Sequence, residues 1–83
     1  NANSIGGGDM KQGEAIKKII DEYGSAAEKF QGFHSRHEGY AVIKEELDEL
    51  WDNIKADATE DLIIEEAVQV GAMVLRFLID ITE

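Results

Sequence analysis

An all-α fold is predicted by three observations. The 83-residue chain has no proline, so nothing in it bars long helical runs. Its apolar residues recur at i, i+3, i+4 and i+7 through three successive segments. The breaks between them hold Gly32 with Ser35, and Asp57 with Thr59, residue types that end and begin helices. The length fits one domain, and 43% hydrophobic residues make it globular. A domain this small buries a modest core and often leans on a partner chain.

Residues 1–10 read as a leader outside the fold, and residues 11–83 as one helical domain. The glycines at positions 6–8 lack the downstream Gly-Lys-Ser/Thr of a phosphate loop. The first helix is expected from about Lys11 to about Gln31. Its stripe is Ile16, Ile19, Ile20, Tyr23, Ala27 and Phe30, with Gly24 as a weak point and Gly32 as the stop. The second covers roughly Arg36 to Ala56, with Ser35 as its cap. Ile43, Leu47, Leu50 and Ile54 form its core line, flanked by Tyr40 and Trp51. Thr59 caps the third helix, which begins near Glu60 with acids in its first turn, where the helix dipole favours them. Its apolar residues nearly encircle it, leaving only Glu65, Gln69, Arg76 and Asp80 as a polar strip. A helix apolar all round is buried all round. Two short companions cannot cover it, so the expected architecture is a three-helix protomer assembling into a multi-chain bundle.

Eighteen acidic residues against eight basic ones give a net charge of −10. That excludes the nucleic-acid backbone and anionic membranes as partners. No apolar run reaches the length of a membrane span, and no signal peptide is visible. The chain has no cysteine, which removes disulfides and thiolate metal sites and fits a reducing, cytoplasmic setting. A small nucleotide stays compatible with the charge, because a bound cation inverts the local electrostatics of a carboxylate site.

The chemistry-bearing pattern is Glu45-Glu46-Leu47-Asp48-Glu49 on the second helix, answered by Glu65-Glu66 at the head of the third. Carboxylates three apart on a helix point the same way. Two helices that each bring such a group to one seam can hold a divalent cation through oxygen ligands. Glu38, Glu45, Glu49 and Asp52 fall on the outer face of the second helix, as most glutamate runs do. Glu46 sits at the core border, and Glu66 falls among Val70, Met73 and Phe77. A carboxylate in such surroundings is costly unless a cation or hydrogen bonds compensate. His34 and His37, the only histidines, read as surface or capping groups rather than ligands.

The run from Phe33-His34-Ser35-Arg36-His37-Glu38-Gly39-Tyr40 through Glu45-Glu46-Leu47-Asp48-Glu49-Leu50 resembles the first half of the all-α nucleoside triphosphate pyrophosphohydrolases, the MazG-like group. That family carries Glu-x-x-Glu on one helix and Glu-x-x-Asp on the next. Here Glu46 and Glu49 match the first pair, and Glu66 with Gln69 stands at the second. The resemblance covers most of residues 15–81. It implies a Mg²⁺-dependent (or Mn²⁺-dependent) hydrolase, working as a homodimer or homotetramer, that converts a nucleoside triphosphate to the monophosphate and pyrophosphate. By the same resemblance Glu46, Glu49 and Glu66 are catalytic metal ligands, Gln69 occupies the fourth ligand position, and Phe33 and His34 contact the nucleotide. Gln69 departs from the family aspartate, leaving Glu38 and Glu45 as candidate additional ligands. The alternative is a non-catalytic assembly protein on the same scaffold.

Overall fold

A computed structural model describes residues 10–82 as three helices, with no strand among them. They are α1 (Gln12–Lys29), α2 (Arg36–Lys55) and α3 (Glu60–Ile81). Apart from Met10, the expected leader lies outside the described residues. None of the helices is long and apolar enough to cross a membrane.

Local chemistry sets the helix starts. Glu14, in the first turn of α1, reaches back to accept the Lys11 backbone N–H at 2.9 Å. Ser35 Oγ accepts the Glu38 N–H at 3.0 Å, and Thr59 Oγ1 accepts the Leu62 N–H at 3.3 Å. Both caps satisfy a donor that the first helical turn leaves free. Helix α2 ends in a six-residue turn. The Asp57 N–H bonds the Ile54 carbonyl at 3.1 Å, and the Ala58 N–H bonds the Asn53 carbonyl at 2.9 Å. This closure places its pivot residue in the left-handed region, where glycine is usual. Asp57 occupies it with φ 59°.

Helix α1 stops at Lys29, two residues before the expected Gln31. Phe30 is already extended, at φ −129° and ψ 149°, with its N–H held by the Ala26 carbonyl at 2.9 Å. The reason is tertiary. Arg76 of α3 donates to the Gln31 carbonyl, and Asp80 of α3 accepts the Phe33 N–H at 2.9 Å. A helical continuation would turn both groups back into α1. Gly32 is therefore a point of contact rather than a helix stop: a Cβ there would lie 3.0–3.2 Å from the Asp80 carboxylate.

Helix α3 is the hub. It packs on α1 and on α2, which make no packing contact with each other. Two close approaches set the spacing. Gly39 brings α2 so near α3 that a Cβ would fall 2.4 Å from Phe77 Cδ1. Gly71 does the same toward α1, where a Cβ would lie 2.9 Å from Ile19 Cδ1. The buried centre is small: Ala26, Ala72 and Met73, with Tyr23, Phe33, Val42 and Ile43 partly buried against it.

The expected stripes are corrected accordingly. On α1 the inward line is Ile19, Tyr23 and Ala26, while Ile16, Ile20, Ala27 and Phe30 are exposed. On α2, Leu47 and Ile54 are exposed along with Tyr40 and Trp51. On α3, Leu62, Val74, Leu78 and Ile79 face solvent in the single protomer, as expected of a helix that two short companions cannot cover. Each outer helix meets only one neighbour, so a single protomer covers one narrow line of each.

Candidate metal site

The acidic pattern converges. One carboxylate oxygen each from Glu46, Glu49 and Glu66 lie within 4.8 Å of one another. Glu46 and Glu49 stand one turn apart on α2, and Glu66 comes from the facing turn of α3. The α2–α3 approach permitted by Gly39 helps hold the two helices at this spacing. Glu66 is half-buried, and its Oε2 atom is sealed from solvent with no hydrogen-bond partner.

Three like charges at such distances repel, and a proton or a cation relieves the repulsion. The contact with the Glu46 carboxyl pushes the Glu66 pKa up to about 7; burial and the charges of Glu46 and Glu65 add to this, and the Glu49 contact opposes it. The Glu49 pKa is raised too, chiefly by the charge of Glu66. A buried, orphaned carboxylate oxygen beside two further carboxylates is a donor set that could hold a hard metal cation.

Beside the cluster runs a cleft of about 480 Å³. It exists because α1 and α2 splay apart on α3. Its floor is Gln69, Met73 and Arg76 of α3. Its walls include Glu22, Ser25 and Lys29 of α1, and Glu38, Val42, Glu45 and Glu46 of α2. Phe30 to His34 close one end. Glu46 thus belongs to both the cluster and the cleft.

The remaining candidates separate. Gln69 lines the cleft, one helical turn beyond Glu66. Glu38 and Glu45 line it as well, but neither joins the three converging carboxylates. Glu38 Oε1 accepts the His34 N–H at 2.5 Å and lies 3.4 Å from His34 Nδ1. That backbone hydrogen bond is the main reason its pKa is lowered. His34 is exposed at the cleft edge and Phe33 is half-buried in its wall.

Arg76 is the residue that sequence reasoning missed. It reads there as part of a polar strip, yet it is 8% exposed and the only buried charged residue among those described. Its guanidinium lies 4.4 Å from the Phe33 ring centroid and 6.0 Å from that of Phe30. Its Nε is 3.7 Å from Asp80 Oδ2. An aromatic face and a carboxylate together make burial of such a cation tolerable. The available signal was Arg76 and Asp80 at i, i+4, downstream of a connection containing two phenylalanines. Comparison with known proteins found no match to this chain among family models, curated proteins or solved structures.

Proposed function

We propose that this protein is a divalent-metal-dependent nucleoside triphosphate pyrophosphohydrolase that works as a homo-oligomer. The observation that carries the reading is the convergence of Glu46, Glu49 and Glu66, with an orphaned Glu66 oxygen, and the sharing of Glu46 with a cleft sized for a small ligand. The resemblance to the MazG-like group points to the same three residues and supplies the reaction: water adds across the α–β phosphoanhydride bond, which breaks to give the monophosphate and pyrophosphate.

In this reading Glu46, Glu49 and Glu66 hold Mg²⁺ or Mn²⁺. Such an ion would supply charge neutralisation at the phosphates and would acidify the attacking water. The carboxylates orient the attacking water and take its proton. Gln69 offers an amide oxygen where the family has a carboxylate. Phe33 and His34 border the nucleotide. A triphosphate carries the same sign of charge as the cleft's glutamates, so its binding depends on the cation. The same reading assigns the chain to the cytoplasm, with its substrate.

The oligomer is supported by the exposed apolar residues on all three helices and by the small buried centre. A homodimer or homotetramer covers them. A second reading, a non-catalytic assembly protein, is favoured by Gln69, because an amide brings no charge to the ligand set. Pyrophosphate release across a panel of ribo- and deoxynucleoside triphosphates, with Mg²⁺ and with Mn²⁺, decides between them. Release that is lost in both Glu46→Gln and Glu66→Gln supports the enzyme. No release from any triphosphate, with the fold intact, transfers the argument to the assembly reading.

A further inference from the structure

Resting on the pyrophosphohydrolase reading, we infer that Phe30 is the stacking platform for the ligand's heteroaromatic ring, in place of Phe33.

Phe33 is already committed to the protein. Its N–H is held by Asp80 at 2.9 Å. Its ring lies under the Arg76 guanidinium at 4.4 Å and tilts against Phe77 with centroids 6.5 Å apart. Gly39 presses on it as well, since a Cβ there would lie 3.1 Å from Phe33 Cδ2. These neighbours make Phe33 a wall of the cleft and leave little of its ring free for a ligand.

Phe30 differs on each count. It is 61% exposed and lines the cleft. Its backbone is fixed by the Ala26 carbonyl at the end of α1. Arg76 sits 6.0 Å from its ring centroid, a cation that reinforces an aromatic stack. An exposed phenyl ring on a cleft regains apolar burial when a planar ring covers it. The same cleft reaches Glu46 of the acidic cluster. A ring stacked at the Phe30 end therefore leaves the Glu46 end for a phosphate chain and its cation. Stacking accepts every nucleobase, because each has a π face. Discrimination among bases then falls to polar groups on the α1 side of the cleft such as Ser25.

The test compares ring-bearing with ring-free ligands on the full chain. Calorimetry with Mn²⁺ would use α,β-methylene deoxynucleoside triphosphates and, as the ring-free probe, inorganic tripolyphosphate. Phe30→Ala should weaken the nucleotide analogues by about tenfold, the scale of one lost base–aromatic stack. It should leave Mn²⁺ and tripolyphosphate binding unchanged, and Phe30→Tyr should retain the parent's affinity. The exposure of Phe30 lets these substitutions be made without opening the core. The inference is overturned if Phe30→Ala keeps the parent's preference for ring-bearing ligands, or if Phe33→Leu alone removes it. It is also overturned if Phe30→Ala changes the mass measured by light scattering, which would make Phe30 a contact between copies. A parent that binds neither Mn²⁺ nor any nucleotide defeats the functional reading and the inference together. A parent that releases pyrophosphate while Phe30→Ala behaves identically defeats the inference alone.

Discussion

Glu66→Gln should stabilise the metal-free protein at pH 8 and change little at pH 5. The contact with Glu46 lifts the Glu66 pKa from 4.5 to about 7. Between those values the folded chain keeps a proton that the unfolded chain has released. Stability therefore falls as pH rises from about 4.5 to about 7, then levels off. Taken whole, a shift of this size corresponds to roughly 3 kcal/mol. Two carboxylate charges 4.8 Å apart repel by roughly 1 kcal/mol in water and roughly 3.5 kcal/mol at an effective dielectric of about 20. Glu66 is only half-buried, and solvent screening brings the expected effect to about 1–2 kcal/mol. For a domain of this size that raises the thermal midpoint by roughly 5–15 °C at pH 8. At pH 5 the parent's Glu66 is protonated and nearly isosteric with glutamine, so the two midpoints should coincide. The assay is a set of thermal melts from pH 5 to pH 8 at one protomer concentration and matched ionic strength. On the proposed metal-site reading, adding Mg²⁺ or Mn²⁺ at pH 8 should raise the parent's midpoint and narrow the gap, as a cation held only by the native cluster would do. A gap equal at pH 5 and pH 8, or a less stable variant at both, would refute the claim that crowded carboxylates strain this seam.

Gly39→Ala should destabilise by about 1–3 kcal/mol in urea titrations, because its methyl group meets the Phe77 ring at 2.4 Å. An unchanged midpoint would mean that α2 and α3 do not approach as closely as described. Asp57→Gly should stabilise by up to ~1 kcal/mol, since glycine takes the φ 59° backbone without the penalty borne by a side chain; a loss of stability in the same titration would contradict this. Leu78→Glu should lower the mass seen by light scattering while leaving the helical circular dichroism intact, because Leu78 is 55% exposed in the protomer; an unchanged oligomer removes Leu78 from the interface. Under the proposed function, Gln69→Asp should tighten Mn²⁺ binding and raise turnover if the amide merely replaces the carboxylate of the MazG-like pattern. Flat or lower turnover in single-turnover assays would show a site rebuilt around the amide.

Local signals and long-range ones were not equally legible in the chain. The Ser35 and Thr59 caps lie where the sequence predicts them, since a cap is a contact across three residues. Helical spacing put Glu46 and Glu66 beside the core, while Glu49, on the outer face by the same spacing, joined them through the resemblance to the MazG-like group; the three converge. The end of α1 was not readable. It depends on Arg76 and Asp80, which lie more than forty residues downstream of the groups they hold. The α1 stripe was misassigned for a related reason. Periodicity finds an apolar face but not how much of it a neighbour covers. With α2 splayed away, the large apolar residues Ile16, Ile20 and Phe30 stay exposed, and Ile19, Tyr23 and Ala26 form the inward line.

The hub arrangement of α3 divides the molecule into parts of unequal permanence. Helices α2 and α3 are joined by a short turn and carry all three clustered carboxylates, so that hairpin is a local unit able to form early. Helix α1 must return across the whole of α2 to reach α3, and it has no second neighbour to hold it. It is the part of the protomer set to open and exchange its amides first. What α1 contributes is a wall of the cleft and the Phe30 rim, and no clustered carboxylate. Undocking of this one helix therefore unmakes the cleft while leaving the acidic seam assembled. Access to the cleft and integrity of the seam become two separately adjustable properties of an 83-residue chain.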